Sequence, residues 1–506
     1  MIPAPLLADL RRRHAAPLQH QRWTEHSSLL PDRQGSAGAL STWPIGLAIS
    51  AILVLGAPAA HGQDRAELVG MAERLEAYAD QLSRVWPGYW PPDQPYILYA
   101  PDTGAVFGGA ASPQGPSFRP GPLAGVTSTF ATDFPTGAPD TVLLTLSGRD
   151  DDVSTLFHEQ FHDFQEDRFR WQSESGSEYV DLSLIGDLEA FTFGVELELR
   201  LLADILVEDD AATRRELARA YLALRRERER GMDALVVSTE RHREWTEGTA
   251  EYAGRQASAL FTGRSDEQLR DDLVSMLRRD LLFRPGDYAA NVFRWRLYAT
   301  GAALAWLLDD LEVPDWRTAI EGGTPLDLAL EQAIGLADPV SAADVRASYD
   351  ARDIRAAIAP AVDLARSAGL DASSFLARAP ARLVIELEVY LDDPEPGELY
   401  FNAPAMTPLS RDTLALPDAE WLSINAGSSS LRVERRSILI EMPPPEGSGP
   451  SIQRVSILLP SLSGLEGLRP GRLEAAVEVD MEGLTLRLAA GAIVEVNDTT
   501  ITVRVR

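Results

Sequence analysis

His158-Glu159-Gln160-Phe161-His162 sets two imidazoles four residues apart, with a carboxylate beside the first. On an α-helix, residues i and i+4 share a face, their Cβ atoms ~5–6 Å apart. Two imidazoles so placed can both reach one Zn²⁺ at ~2.0–2.1 Å. The Glu between them then faces the open position of the metal and can take a proton from water there. His158 and His162 are therefore candidate metal ligands, and Glu159 is the candidate general base. The competing reading is a chance H-E-x-x-H on a structural helix. Histidine is rare in this chain, with seven residues in all, which weighs against chance.

The flanking sequence predicts the helix this spacing needs. Val153, Phe157, Phe161 and Phe164 recur at helical spacing as an apolar stripe, separate from His158, His162 and Glu166. Asp150, Asp151 and Asp152 precede it, which suits the positive end of a helix dipole. Upstream, 141–147 reads as a strand. Residues 65–85 read as an amphipathic helix, 96–99 and 105–107 as short strands, and the Gly- and Pro-rich span 108–139 as loop. After the motif, helical patterns fill 179–207, 211–230, 232–261, 265–282 and 291–311. From about residue 381 the period changes to two, with alternating runs at 383–391, 430–441, 452–459, 473–479, 484–489 and 499–506. The expected class is α+β. A small N-terminal strand-bearing lobe (63–150) precedes a mostly helical catalytic domain (151–379), and a C-terminal antiparallel β-domain of sandwich type (380–506) follows.

Composition removes several classes of function. A net charge of −29 argues against nucleic acid and against an anionic membrane surface as partners. With no cysteine there is no thiol nucleophile, thiolate metal site or disulfide. All 47 basic residues are arginine, which excludes P-loop and Schiff-base lysines. Neither G-x-S-x-G nor G-x-G-x-x-G occurs.

Residues 45–56 form an apolar run of twelve, followed by Ala-Pro-Ala-Ala-His-Gly. This reads as a signal peptide over 1–62 with an unusually long leading region. The run is short of the ~20 residues that span a bilayer, and an uncleaved N-terminal anchor is the alternative. Export would leave three histidines, His158, His162 and His242, in the mature chain.

A catalytic zinc keeps three protein ligands and one open position. Gln165 and Arg168 stand where a metzincin would carry Gly and His, which leaves a carboxylate on a later helix. Glu247 and Glu189 are the candidates. His242 lies five residues before Glu247, so the two point apart on one helix. The segment Glu244-Trp-Thr-Glu-Gly-Thr-Ala-Glu-Tyr252 resembles the glutamate-bearing helix of the gluzincin metallopeptidases, most closely the E-G-x-A helix of aminopeptidase N relatives. Tyr298-Ala-Thr-Gly-Ala302 is similar to their Y-x-x-G-A segment. The resemblance spans roughly 141–310 and implies a zincin-like domain holding one Zn²⁺ through His158, His162 and Glu247. It also implies that Tyr298 stabilises the oxyanion, with Arg294 and Arg296 as other donors nearby. Glu244 or Glu251 could support a ligand imidazole from behind. Gly248 costs ~1 kcal/mol in a helix relative to Ala, which makes sense if something approaches the backbone there. The bland alternative is a solvated acidic face, since Glu240, Glu244, Glu247 and Glu251 are spaced as one. The gluzincin G-x-M-E-N motif, which grips a substrate amino terminus, is absent, so aminopeptidase activity is not implied.

The expectation is an exported zinc hydrolase, periplasmic or extracellular, that cleaves an amide bond in a peptide or protein substrate. The β-domain is expected to dock substrate or a cell-envelope partner. Two other classes stand beside it: a non-catalytic exported binding protein with a structural zinc site, and a zinc hydrolase of non-peptide amides or esters. Oligomeric state is not legible.

Overall fold

The computed structural model describes residues 65–505, apart from 92, 124–129, 132–137, 139–140, 147–151, 172–183, 280–287, 289–290, 336–341, 368–371, 388–397, 403–406, 411–412, 427 and 442–453. The signal-peptide reading of 1–62 and the acidic residues Asp150 and Asp151 lie outside them. The described chain is α+β, with a strand lobe, a helical body and a C-terminal β-domain.

The chain enters through α1 (Arg65–Leu82), which buries Leu68, Ala72, Leu75, Ala79 and Leu82 at helical spacing. A five-stranded sheet follows, built from β1 (Tyr96–Ala100), β2 (Gly104–Gly108), β3 (Ser117–Pro120), β4 (Phe130–Ala131) and β5 (Val142–Thr145). Its order is β3-β2-β1-β5-β4, and only β1–β5 is parallel. The span read as loop thus contains two of these strands. They are short, and their main-chain pairing outweighs a composition that hides them. The motif helix α2 (Asp152–Arg168) leaves this sheet after β5.

Helices α3 (Leu188–Leu206), α4 (Ala211–Glu229), α5 (Ala234–Arg243), α6 (Thr249–Thr262), α7 (Asp266–Leu277) and α8 (Arg296–Asp310) form the body. The pattern 232–261 predicts one helix. The structure has α5 and α6 joined without a break by a π-helical turn, Glu244–Gly248. A second π-turn, Asn291–Trp295, opens α8. Such insertions are rare and frequent at functional sites. Both turns lie at the candidate centre. One apolar core runs from Leu68 to Ala365 through the lobe and the helices.

The β-domain contains β6 (Ala381–Leu387), β7 (Glu398–Asn402), β8 (Thr407–Ser410), β9 (Thr413–Ala426), β10 (Ser429–Glu441), β11 (Arg454–Leu459), β12 (Gly471–Arg472), β13 (Val477–Met481), β14 (Leu484–Leu488), β15 (Ile493–Val496) and β16 (Thr500–Val505). The sequence predicts two antiparallel sheets. Instead, all eleven strands belong to one curled sheet, and β16 pairs with β6 in parallel. Arg436 faces Ala419 and Ile438 faces Leu416, so Pro417 and Asp418 stand opposite Ser437 alone. This bulge bends the β9–β10 hairpin and hosts a proline that a regular ladder would reject. It also explains why β9 does not read as a strand. One apolar core fills the curl. Phe375, in the short helix Ala372–Leu376, packs on the opposite face of this sheet with Leu409, Ala415, Leu439 and Leu458.

Candidate metal centre

Helix α2 is fixed from behind by aromatic rings. Tyr89 donates to the carbonyl of Phe157 at 2.8 Å. Phe161 meets Trp86 and Tyr89 edge-on at 5.2 Å, and Phe157 meets Trp90 at 4.9 Å. The apolar stripe predicted for this helix is therefore the anchored face, and the histidines lie off it. His158 Nε2 and His162 Nε2 are 3.1 Å apart.

The structure brings Glu247 to them. Its Oε2 lies 3.5 Å from His158 Nε2 and 3.3 Å from His162 Nε2. Glycines make this approach possible. A Cβ on Gly248 would fall 2.4 Å from the Cα of Gly301, and one on Gly254 would fall 3.1 Å from the His158 amide nitrogen. Gly248 and Gly301 thus cross backbone against backbone, and both E-G-x-A and Y-x-x-G-A owe a glycine to this one contact. The crossing also brings Tyr298 over the site. Its ring stacks parallel to the His158 imidazole, with centroids 5.5 Å apart.

The surrounding groups set the electrostatics. Arg243 Nη1 bonds Glu247 Oε1 at 3.1 Å, leaving Oε2 turned inward. That oxygen is buried and within ion-pair reach of both imidazoles, and the Tyr298 hydroxyl also bonds this carboxylate. Behind His158, Glu251 Oε2 lies 3.4 Å from Nδ1, in ion-pair reach though outside good hydrogen-bond geometry. Behind His162, Gln165 Oε1 lies 2.7 Å from Nδ1. Burial would lower the His158 pKa, but Glu247 and Glu251 outweigh it and push it up to about 10. Burial raises Glu247, yet the His162 charge, bonds to both imidazoles and Arg243 hold it well below the usual carboxylate range. The cluster thus favours a positive charge at its centre. Two imidazole nitrogens and a carboxylate oxygen converge there within 4.8 Å. With no proton between them, three lone pairs face one another, a donor set that fits a borderline divalent cation such as Zn²⁺.

Burial raises the pKa of Glu159 above its ordinary value, opposed by the charges of His158 and His162. Tyr298 is raised well above 10.0 by burial and by the Glu247 carboxylate, so it keeps its proton. Arg294 acts electrostatically on both Glu159 and Tyr298. Arg296 is instead buried in an ion pair with Glu240 and is committed there.

The other sequence candidates separate clearly. Glu189 is half-exposed at the start of α3, where its ion-pair partner is Arg366 at 3.6 Å. His242 packs its ring on Trp171 and Trp245, and burial with the Arg243 charge lowers its pKa to about 4. Glu166 is exposed, and Gln165 takes the place beside the histidines. The glutamates at 240, 244, 247 and 251 do not form a solvated face. Glu240 pairs with Arg228 and Arg296, Glu244 with Arg225, and Glu251 with Arg255. Arg243 and Gly254 have no role in the sequence reading, Gln165 enters it only as a departure from the metzincin pattern, and Gly301 only within the Y-x-x-G-A segment. For Gln165 a signal exists, since it follows His158 by seven residues and His162 by three, on one helical face. Comparisons with protein-family models, curated proteins and solved structures return no match to the chain.

Proposed function

We propose that this protein is an exported zinc-dependent hydrolase of gluzincin type that cleaves an amide bond in a peptide or protein. One observation carries the reading: His158 Nε2, His162 Nε2 and the buried Glu247 Oε2 converge beside a carboxylic acid of raised pKa. A Zn²⁺ held by these three atoms supplies a Lewis acid that polarises a carbonyl and makes water a nucleophile at neutral pH.

The chain's own groups do the rest. Glu159 takes a proton from the attacking water and returns it to the leaving amine. Its raised pKa suits both directions, and such a group is worth ~10²–10⁴-fold in rate. Tyr298, held protonated, donates to the oxyanion as the carbonyl becomes tetrahedral, a contribution of ~2.7–4 kcal/mol. Arg243 offsets the Glu247 charge without competing for Oε2. A strand lobe with a parallel β1–β5 pair just before α2 supports a zincin-like catalytic unit. The β-domain is read as a docking module, and the apolar run 45–56 supports export.

The test is metal content of the purified chain beside His158→Ala and Glu247→Ala, followed by peptide-library cleavage with Glu159→Gln as control. One zinc per chain, lost in both variants, and cleavage abolished by Glu159→Gln are the expected results. A wild-type chain that takes up no zinc on reconstitution would end the proposal.

A further inference from the structure

Gln165 is buried on α2, one turn beyond His162. Its amide nitrogen donates twice, to the Thr246 carbonyl at 2.8 Å and to Thr249 Oγ1 at 2.7 Å. Thr249 in turn donates its hydroxyl proton to the Trp245 carbonyl at 2.6 Å. Each hydrogen bond in this chain has a fixed direction. A backbone carbonyl can only accept, so the Thr249 proton is committed and its oxygen accepts from Gln165. Flipping the amide would set its oxygen against the Thr246 carbonyl, two acceptors face to face. Gln165 Oε1 is therefore the end turned to His162 Nδ1, 2.7 Å away. An acceptor there calls for a proton on Nδ1; it is closer than the Glu247 Oε2 that faces Nε2 at 3.3 Å, so in the neutral ring the proton goes to Nδ1 and Nε2 keeps a lone pair.

We propose that Gln165 is a positioning residue that locks His162 in the Nδ1-protonated tautomer, so that Nε2 faces His158 and Glu247 as a ligand atom. The same side chain ties α2 to the π-turn that carries Glu247. The register of the two ligand-bearing elements and the tautomer of one ligand are thus set by one amide. Histidine ligands take their tautomer from the partner of the other ring nitrogen, and losing such a partner costs 10–100-fold in metal affinity. The purpose of the lock rests on the metal reading above; its direct readout does not.

The experiment uses the full chain labelled with ¹⁵N-histidine and stripped of metal. Long-range ¹H–¹⁵N correlations, recorded where the ring is neutral, report which nitrogen of His162 carries the proton. The expected result is Nδ1 in the wild type, with that preference lost in Gln165→Leu. Competition with a zinc chelator should show Gln165→Leu binding about 10–100-fold more weakly. The wild-type tautomer decides the question even if the variant fails to fold. A proton on Nε2 in the wild type overturns the lock, as does a Gln165→Leu protein that keeps both the Nδ1 proton and wild-type affinity. A wild type that carries the Nδ1 proton yet takes no zinc supports the lock while ending the metal reading.

Discussion

The helical body and the β-domain treat charge in opposite ways. In the body, Arg225 and Glu244 are 1% and 2% exposed and bond through both terminal guanidinium nitrogens. Arg228 pairs with Glu198 and Glu240, and Asp327 is gripped by Arg226 and Arg241. In the β-domain, the pair Arg487–Glu478 is 60% and 57% exposed, and among the described residues the buried polar side chains are serines 429 and 456. The β-core is apolar, and its alternation suffices to specify it. The helical core carries a spine of buried ion pairs directly behind Glu247. Such pairs stabilise little in total, because desolvation offsets the attraction, but a partner left alone in the interior is costly. The spine therefore penalises any helix register that unpairs it, and Glu244 sits one turn before the candidate ligand.

Acid should separate the two regions most strongly. Burial raises Glu240 and Asp327, but Arg228 and Arg225, with their neighbours, outweigh it and hold both at about 2, below ordinary values of 4.5 and 3.8. A depressed carboxylate stabilises above its unfolded pKa, and that stability is lost as pH falls toward the folded one. Tryptophan fluorescence should report loss of the body between pH 4.5 and about 2, while hydrogen exchange shows the β10 amides still protected. Of the ten tryptophans only Trp421 lies in the β-domain. Simultaneous loss of both signals would erase the contrast.

Single substitutions grade it further. Arg225→Met strands Glu244 and should cost about 3–5 kcal/mol in denaturant unfolding of the body. Leu422→Ala opens a cavity in the β-core and should cost about 2–5 kcal/mol, read by β-sheet circular dichroism, with zinc content unchanged. Gly248→Ala drives a methyl into Gly301. It should cost about 1–3 kcal/mol and remove bound metal, which links helix crossing to ligand geometry; an alanine variant with full metal would break that link. Arg487→Gln, at an exposed pair, should stay within about 0.5 kcal/mol, and a larger loss would show that surface charge matters to the β-domain after all.

The division into strand lobe, helical body and β-domain was legible in the sequence, because period and composition change where the architecture does. The spacing of His158, Glu159 and His162 was legible because one helix face contains it. The choice of Glu247 over Glu189 came from a resemblance, and of these two geometry brings Glu247 to the histidines and leaves Glu189 with Arg366. The β9 strand was hidden by Pro417, whose bulge exists only when β10 is present to pair with it. Arg243 and Gln165 were hidden because their partners belong to the next turn or to another helix.

By itself, the sequence determined what is local: helices from apolar spacing, strands from alternation, an absent thiol and lysine chemistry, and two imidazoles on one face. Tertiary structure alone decided that four regularly spaced glutamates are interior rather than solvated, that Gly248 and Gly301 meet, and that Glu247 Oε2 is turned to both imidazoles. The physical reason is that a carboxylate's state depends on what is packed against it, and here those partners range from four residues away along the chain, Arg243 at Glu247, to 93, His158 at Glu251.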